Sequence, residues 1–276
     1  MRDKIFMMMV ATALLCVCDG CTDLLPAAEE PLTLAEQVTN WTDSVALYRE
    51  QARQGDAEAY LKLARCYHEG KGVEHDLPMM LQMMRMALQY DCTLDTIKLI
   101  NSLTRGSADR LVMEAIIAID QDQYDTAYAK ASQLASLGDS NTEFVRGLIA
   151  LGTDYVEEAL SLLHIAASQG SMLAQLSVAF REDDQQTILR LAPHFPYAYC
   201  QLARANYTMD WDPRKDEQAA MYYRRADSLL CLDPIGINWM LDYDEHMAEI
   251  GSPVLDSLES ARLQKLADII GPLPHY

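Results

Sequence analysis

Apolar residues recur along most of the chain at steps of three and four, while the strict alternation of a half-buried strand is scarce. Ala59, Leu63 and Tyr67 stand four apart, which puts them on one face of a helix. Gly70-Lys71-Gly72-Val73 then breaks the pattern. Asp76 is placed to cap a second helix, Pro78 is tolerated in its first turn, and the spacing carries that helix to about Tyr90. The same alternation of helix and break continues downstream. Residues 107–137 and 140–169 read as helix pairs, interrupted at Asp120–Gln123, Gly138-Asp139 and Gly152–Asp154. Two further helices are expected over about 236–250 and 254–269, the first stopped by Gly251 and the second capped at Ser252-Pro253. About six or seven helix pairs or part-pairs follow from this spacing.

The segments also repeat one another. Residues 55–91 resemble the Sel-one-like repeat, a relative of the tetratricopeptide repeat, through Ala59, Leu63, Tyr67, Gly70, Gly72, Val73, Asp76 and Ala87. They depart from that pattern at Ala64, Met80 and Met83. Weaker copies lie at Ala159, Leu162, Ala166-Ala167 and Gly170, at Ala174 and Val178-Ala179, at Ala198, Leu202-Ala203 and Tyr207, and at Asp216, Ala220, Tyr223 and Ala226. Gly138 and Gly170 are 32 residues apart, close to one tetratricopeptide period. The resemblance covers roughly residues 45–232 and implies an all-α fold, a right-handed solenoid of antiparallel helix pairs. Small residues belong where helices cross closely, and stacking of neighbouring pairs supplies the core that no pair can build alone. The expected organisation is a signal segment over 1–20, a tether over 21–42, a solenoid over 43–235 and capping helices over 236–276.

The first residues carry a different signal. Arg2 and Lys4 precede an apolar run from Ile5 to Cys18, which is too short for a bilayer core needing about 20 residues. A charged start, a short apolar run and then small residues mark a secretory signal. The run leads into Asp19-Gly20-Cys21, which resembles the lipobox of bacterial lipoproteins. That resemblance implies cleavage after Gly20 and acylation of Cys21. Cys18 and Asp19 stand where the family prefers Leu and a small residue, Cys16 and Cys18 are rival acceptors, and a plain secretory signal or a signal anchor is the alternative. The polar Thr22-Asp23 and the stretch from Pro26 to Pro31 after Cys21 read as an extended tether.

Composition narrows the function by exclusion. The net charge of −19 opposes contact with phosphate backbones, so no nucleic-acid partner is expected. Cys66, Cys92, Cys200 and Cys231 are too scattered for a zinc pattern, and isolated buried thiols or a Cys200–Cys231 pair remain the two readings. His68, Glu69, His75 and Asp76 suggest a metal only weakly, because the two histidines flank the glycine break and share no helical face. Asp120, Asp122 and Asp125 lack the glycine and glutamate of a calcium loop. Asp242, Asp244, Glu245 and His246 read as a solvated acidic face. No phosphate loop, nucleophile elbow or dinucleotide fingerprint is present, so no catalytic residue and no cofactor is expected. Met79, Met80, Met83, Met84 and Met86 crowd one helix, either filling a core or leaving some methionines outward as an adaptable peptide surface. Asp followed by Ser or Thr and an apolar residue recurs at Asp43, Asp95, Asp125, Asp227 and Asp256, as helix caps or as acceptors of one bacterial O-glycosylation system.

The expected function is therefore a membrane-tethered adaptor of the bacterial cell envelope that binds a protein or peptide along its concave face, including part of residues 55–91. The rival class is an envelope enzyme or binding protein acting on cell-wall polymer or carbohydrate. A secreted soluble protein is a third possibility, if Cys21 carries no lipid.

Overall fold

The computed structural model describes residues 41–91, 103, 106–206 and 213–271. The signal segment, Gly20, Cys21, Cys92, the Asp95 motif and Tyr207 lie outside these residues. Among the described residues the fold is all-α, with thirteen helices. In chain order they are α1 (Trp41–Arg53), α2 (Ala57–Glu69), α3 (Leu77–Tyr90), α4 (Ala108–Asp120), α5 (Tyr124–Leu137), α6 (Thr142–Gly152) and α7 (Val156–Ser168). They continue as α8 (Met172–Glu182), α9 (Gln185–Leu191), α10 (Tyr197–Asn206), α11 (Pro213–Ser228), α12 (Pro234–Glu249) and α13 (Ser257–Ile270). No described helix is long and apolar enough to cross a membrane.

Local chemistry accounts for most of the boundaries. Asp56 accepts hydrogen bonds from the backbone N–H of Glu58 and Ala59 and so caps α2. Asp76 does the same for α3 through the Met79 N–H at 2.9 Å, and Ser107 and Ser171 cap α4 and α8. Gly70 closes α2 in the left-handed conformation that glycine adopts without a side-chain clash. The last helix departs from expectation. It begins at Ser257, and Asp256 caps it in a capping box with Glu259, so Ser252-Pro253 is not its cap. The Asp256 carboxylate accepts from the Leu258 and Glu259 N–H groups, and the Glu259 carboxylate accepts in return from the Asp256 N–H, so the orphan amides of the first turn are satisfied at Asp256.

Consecutive helices pack as hairpins: α2 with α3, α4 with α5, α6 with α7 and α10 with α11, while α4 also meets α6. Alanine occupies the crossings, with Ala59, Ala87, Ala127, Ala159, Ala166, Ala174, Ala198 and Ala203 all nearly inaccessible. Such residues let helix axes approach, and the larger Leu63, Phe144 and Tyr223 fill the space beside them.

The two ends of the described chain meet. Leu266 and Ile269 of α13 lie against Gly55 and Tyr90, and α13 packs on α3 as well as on α12. Asp227 at the end of α11 receives both guanidinium nitrogens of Arg262 and lies 4.0 Å from Arg53. His194 hydrogen-bonds to Asp76 at 2.6 Å across 118 residues, and the Arg85 guanidinium stacks 3.9 Å from the Tyr197 ring centroid. The first helix pair is thus enclosed by later parts of the chain, whereas in an open solenoid each repeat touches only its neighbours.

One surface network gives a pH prediction. Burial alone would raise the Glu114 carboxyl, but hydrogen bonds from Arg110 and Lys130 outweigh it and hold the group below its ordinary value. A carboxylate with a depressed folded pKa stabilises the fold above its unfolded pKa of about 4.3 and loses that contribution as pH falls through the lower folded value. Glu114→Gln is therefore expected to be less stable than wild type at pH 7, with the difference shrinking below about pH 4. Chemical denaturation across pH 3–7 checks this, and a difference independent of pH contradicts it.

Candidate functional site

The repeat-defining residues gather around the first helix pair. Ala59, Leu63 and Tyr67 are buried on one face of α2, Ala87 is fully buried in α3, and Val73 packs on the core from the intervening turn. Gly70 and Gly72 both take left-handed backbone, and Asp76 caps α3. All eight serve packing or local geometry, and the cap carboxylate additionally holds His194.

The methionine-rich helix offers no surface. Met79, Met80, Met83, Met84 and Met86 are each 5% exposed or less. A single buried stripe could not hold five of eight consecutive positions. Helix α3 holds them because α2, the 194–197 segment, the Leu229–Leu230 turn and α13 cover it from several sides. Of the two readings, core filling holds for these methionines, and the adaptable peptide surface does not. Gln82 on the same helix is fully buried, and its amide has no hydrogen-bond partner among the described residues.

Two features remain exposed to a ligand. The first is an open groove of about 1010 Å³ between α11 and α12, closed at one end by Val254. The two helices pack only loosely on each other, whereas α10 and α11 form a tight hairpin. Met221 and Ile250 stand on the groove 53% and 65% exposed, and Ala220, Tyr243 and Met247 line it. Arg214, Glu217 and Arg225 supply charges at its edge. The acidic cluster of α12 contributes to this architecture rather than to solvation alone. Asp244 accepts hydrogen bonds from the Val254 and Leu255 N–H groups at 2.8 Å each, which ties the chain after α12 to the helix.

The second feature is a side-chain cluster that spacing did not reveal. His68 Nδ1 and His75 Nε2 lie 2.7 and 2.8 Å from the same oxygen of Asp109. His68 comes from the last turn of α2, His75 from the turn before α3, and Asp109 from the first turn of α4. The His68 and Asp109 side chains are each 7% exposed, whereas His75 is 57% exposed. Burial alone would raise the Asp109 carboxyl, but the hydrogen bonds from His68 and His75 outweigh it and keep the group below the ordinary carboxylate value. Glu69 belongs to a separate surface network with Arg65 and Lys71, and Asp76 to its cap and His194.

The described cysteines are buried free thiols. Cys200 Sγ donates to the Cys231 carbonyl oxygen at 3.4 Å. Burial pushes the Cys231 thiol up to about 12 and the Cys200 thiol well above its ordinary value, so neither is a nucleophile at neutral pH. The motif at Asp256 is a helix cap and that at Asp227 an ion-pair hub. Asp122 accepts from the Tyr124 hydroxyl at 2.8 Å in the tight turn between α4 and α5. No protein-family model matches the chain, and no curated protein and no solved structure matches it.

Proposed function

We propose that the protein is a membrane-tethered adaptor of the bacterial cell envelope, exported by residues 1–20 and held by lipid on Cys21, that binds a segment of another envelope protein without turning over a substrate. Its helix hairpins are read as a right-handed, Sel-one-like and tetratricopeptide-like solenoid whose ends fold back on each other. The observation that carries the reading is the open, apolar-floored groove between α11 and α12, walled by helices and rimmed by charge. Such a groove takes an amphipathic segment, with apolar anchors against Met221 and Ile250. The contact surface moves from the methionine-rich helix, which is buried, to the opposite end of the chain.

The test places a photo-cross-linking residue at Met221, at Ile250 and at the exposed but remote Leu137. One partner is expected from the first two positions and not from the third, attached through an amphipathic segment. The synthetic peptide of that segment should bind wild type and bind Met221→Asp at least tenfold less tightly. Equal capture from Leu137, or release of a modified cell-wall fragment by the purified protein, overturns the reading. Labelling with an acyl analogue separately tests the tether: it should mark wild type and not Cys21→Ala.

A further inference from the structure

We propose that His68, His75 and Asp109 form a binding site for a zinc-class divalent cation. The three side chains come from three separate helix ends and turns, yet their donor atoms all lie within 4.8 Å of one another. Two imidazole nitrogens and one carboxylate oxygen form a donor set suited to zinc and its late first-row neighbours, whereas calcium and magnesium require mostly oxygen. Ligand atoms bound about 2.0–2.2 Å from a tetrahedral zinc stand roughly 3.3–3.6 Å from one another. The rings now touch the Asp109 oxygen at 2.7 and 2.8 Å, so admitting the ion requires each to withdraw by roughly 0.5–0.9 Å. His75 is exposed and can withdraw by a rotamer adjustment, whereas the 2.7 Å between His68 and Asp109 must widen within the buried floor by a small shift of the α2 end against the α4 start.

The surroundings hold the donors in place. Gly70 ends α2 two residues after His68, Asp76 caps α3 immediately after His75, and Ser107 caps α4 two residues before Asp109. A helix cap adjoining each donor therefore fixes the backbone beside it. His68 and Asp109 form the buried floor, and His75 is the exposed wall through which the ion enters. Three protein ligands with a solvent-facing side leave the fourth tetrahedral position to water. The surrounding chain is acidic enough to concentrate cations near the opening. Loading would replace the two hydrogen bonds that now join α2, the turn before α3 and α4 with coordination to one ion.

Isothermal titration of the full chain in detergent micelles with zinc sulfate tests the site. One equivalent is expected to bind to wild type. His75→Ala removes a side chain that is 57% exposed, so the fold should survive, as circular dichroism will show, while affinity falls roughly tenfold or more. His194→Ala breaks another histidine contact to a carboxylate, that with Asp76, and should leave zinc binding unchanged. Cobalt provides a second readout: wild type should show the visible bands of tetrahedral nitrogen and oxygen ligation, absent from His75→Ala. Zinc should also raise the melting temperature of wild type and not of the variant. Failure of wild type to bind zinc makes the cluster an internal hydrogen-bonded pair of histidines on one carboxylate and overturns the proposal. Equal binding by His75→Ala, or a cobalt spectrum with sulfur charge-transfer bands, places the ion elsewhere and overturns it equally.

Discussion

Asp233→Ala is expected to destabilise the protein by about 3–5 kcal/mol, the range for stripping one partner from a buried ion pair. Asp233 is 1% exposed and accepts a hydrogen bond from Arg204, itself largely enclosed and also bonded to the Tyr197 hydroxyl at 3.0 Å. Removing the carboxylate leaves the guanidinium without its counter-charge among α10, α11 and α12. The same side chain caps α12 through the Gly236 N–H at 2.8 Å, so a second hydrogen bond is lost. Asp233→Ser separates the two contributions. Serine can still cap the helix, which should recover about 1 kcal/mol, but it cannot neutralise Arg204. Urea denaturation of the three proteins checks the order wild type, serine, alanine. An alanine variant within 1 kcal/mol of wild type would show that the pair is not enclosed.

The second large effect separates two glycines that look alike in the repeat. Gly70 and Gly72 have φ of +66° and +72°, so alanine at either is strained by roughly 1–2 kcal/mol. Their surroundings differ. A Cβ at Gly70 would meet nothing closer than 3.7 Å, whereas one at Gly72 would come within 2.6 Å of the Trp41 carbonyl oxygen. Backbone cannot swing aside as a side chain can, so Gly72→Ala must push α1 away from the turn, adding an overpacking cost of about 1–3 kcal/mol. Gly72→Ala is therefore expected to cost clearly more than Gly70→Ala, and thermal unfolding of both variants measures the gap. Equal losses would mean that α1 does not rest on this turn.

These two variants mark the boundary of what was legible beforehand. The Gly70–Asp76 stretch was readable because each signal acts within a few residues. A left-handed turn requires glycine, and a helix start requires a short acceptor such as Asp76. Asp233 gave no comparable signal. Its partner Arg204 lies 29 residues away, and a helix-capping aspartate looks the same whether its other oxygen faces solvent or a buried guanidinium. The groove between α11 and α12 was half legible. Both helices follow from periodicity, but the loose contact that leaves Met221 and Ile250 exposed depends on how the chain turns at Asp233 and on Asp244 holding the segment at Val254.

The sequence by itself determined the all-α class, most helix boundaries and the alanine crossings, because helix formation, capping and close approach depend on residues within one or two turns. Tertiary structure alone decided the closure of the chain's ends and the burial of α3 from Leu77 to Leu88 on every face. Amphipathic patterning assigns one inner face to a helix, and it has no way to express a helix covered by segments 100 residues or more downstream, as Asp76 is by His194. It alone also decided the meeting of His68, His75 and Asp109. Spacing finds ligands that share a helix face, whereas these are 34 and 41 residues from Asp109 in the chain and converge only because the end of α2, the turn before α3 and the start of α4 meet at one point.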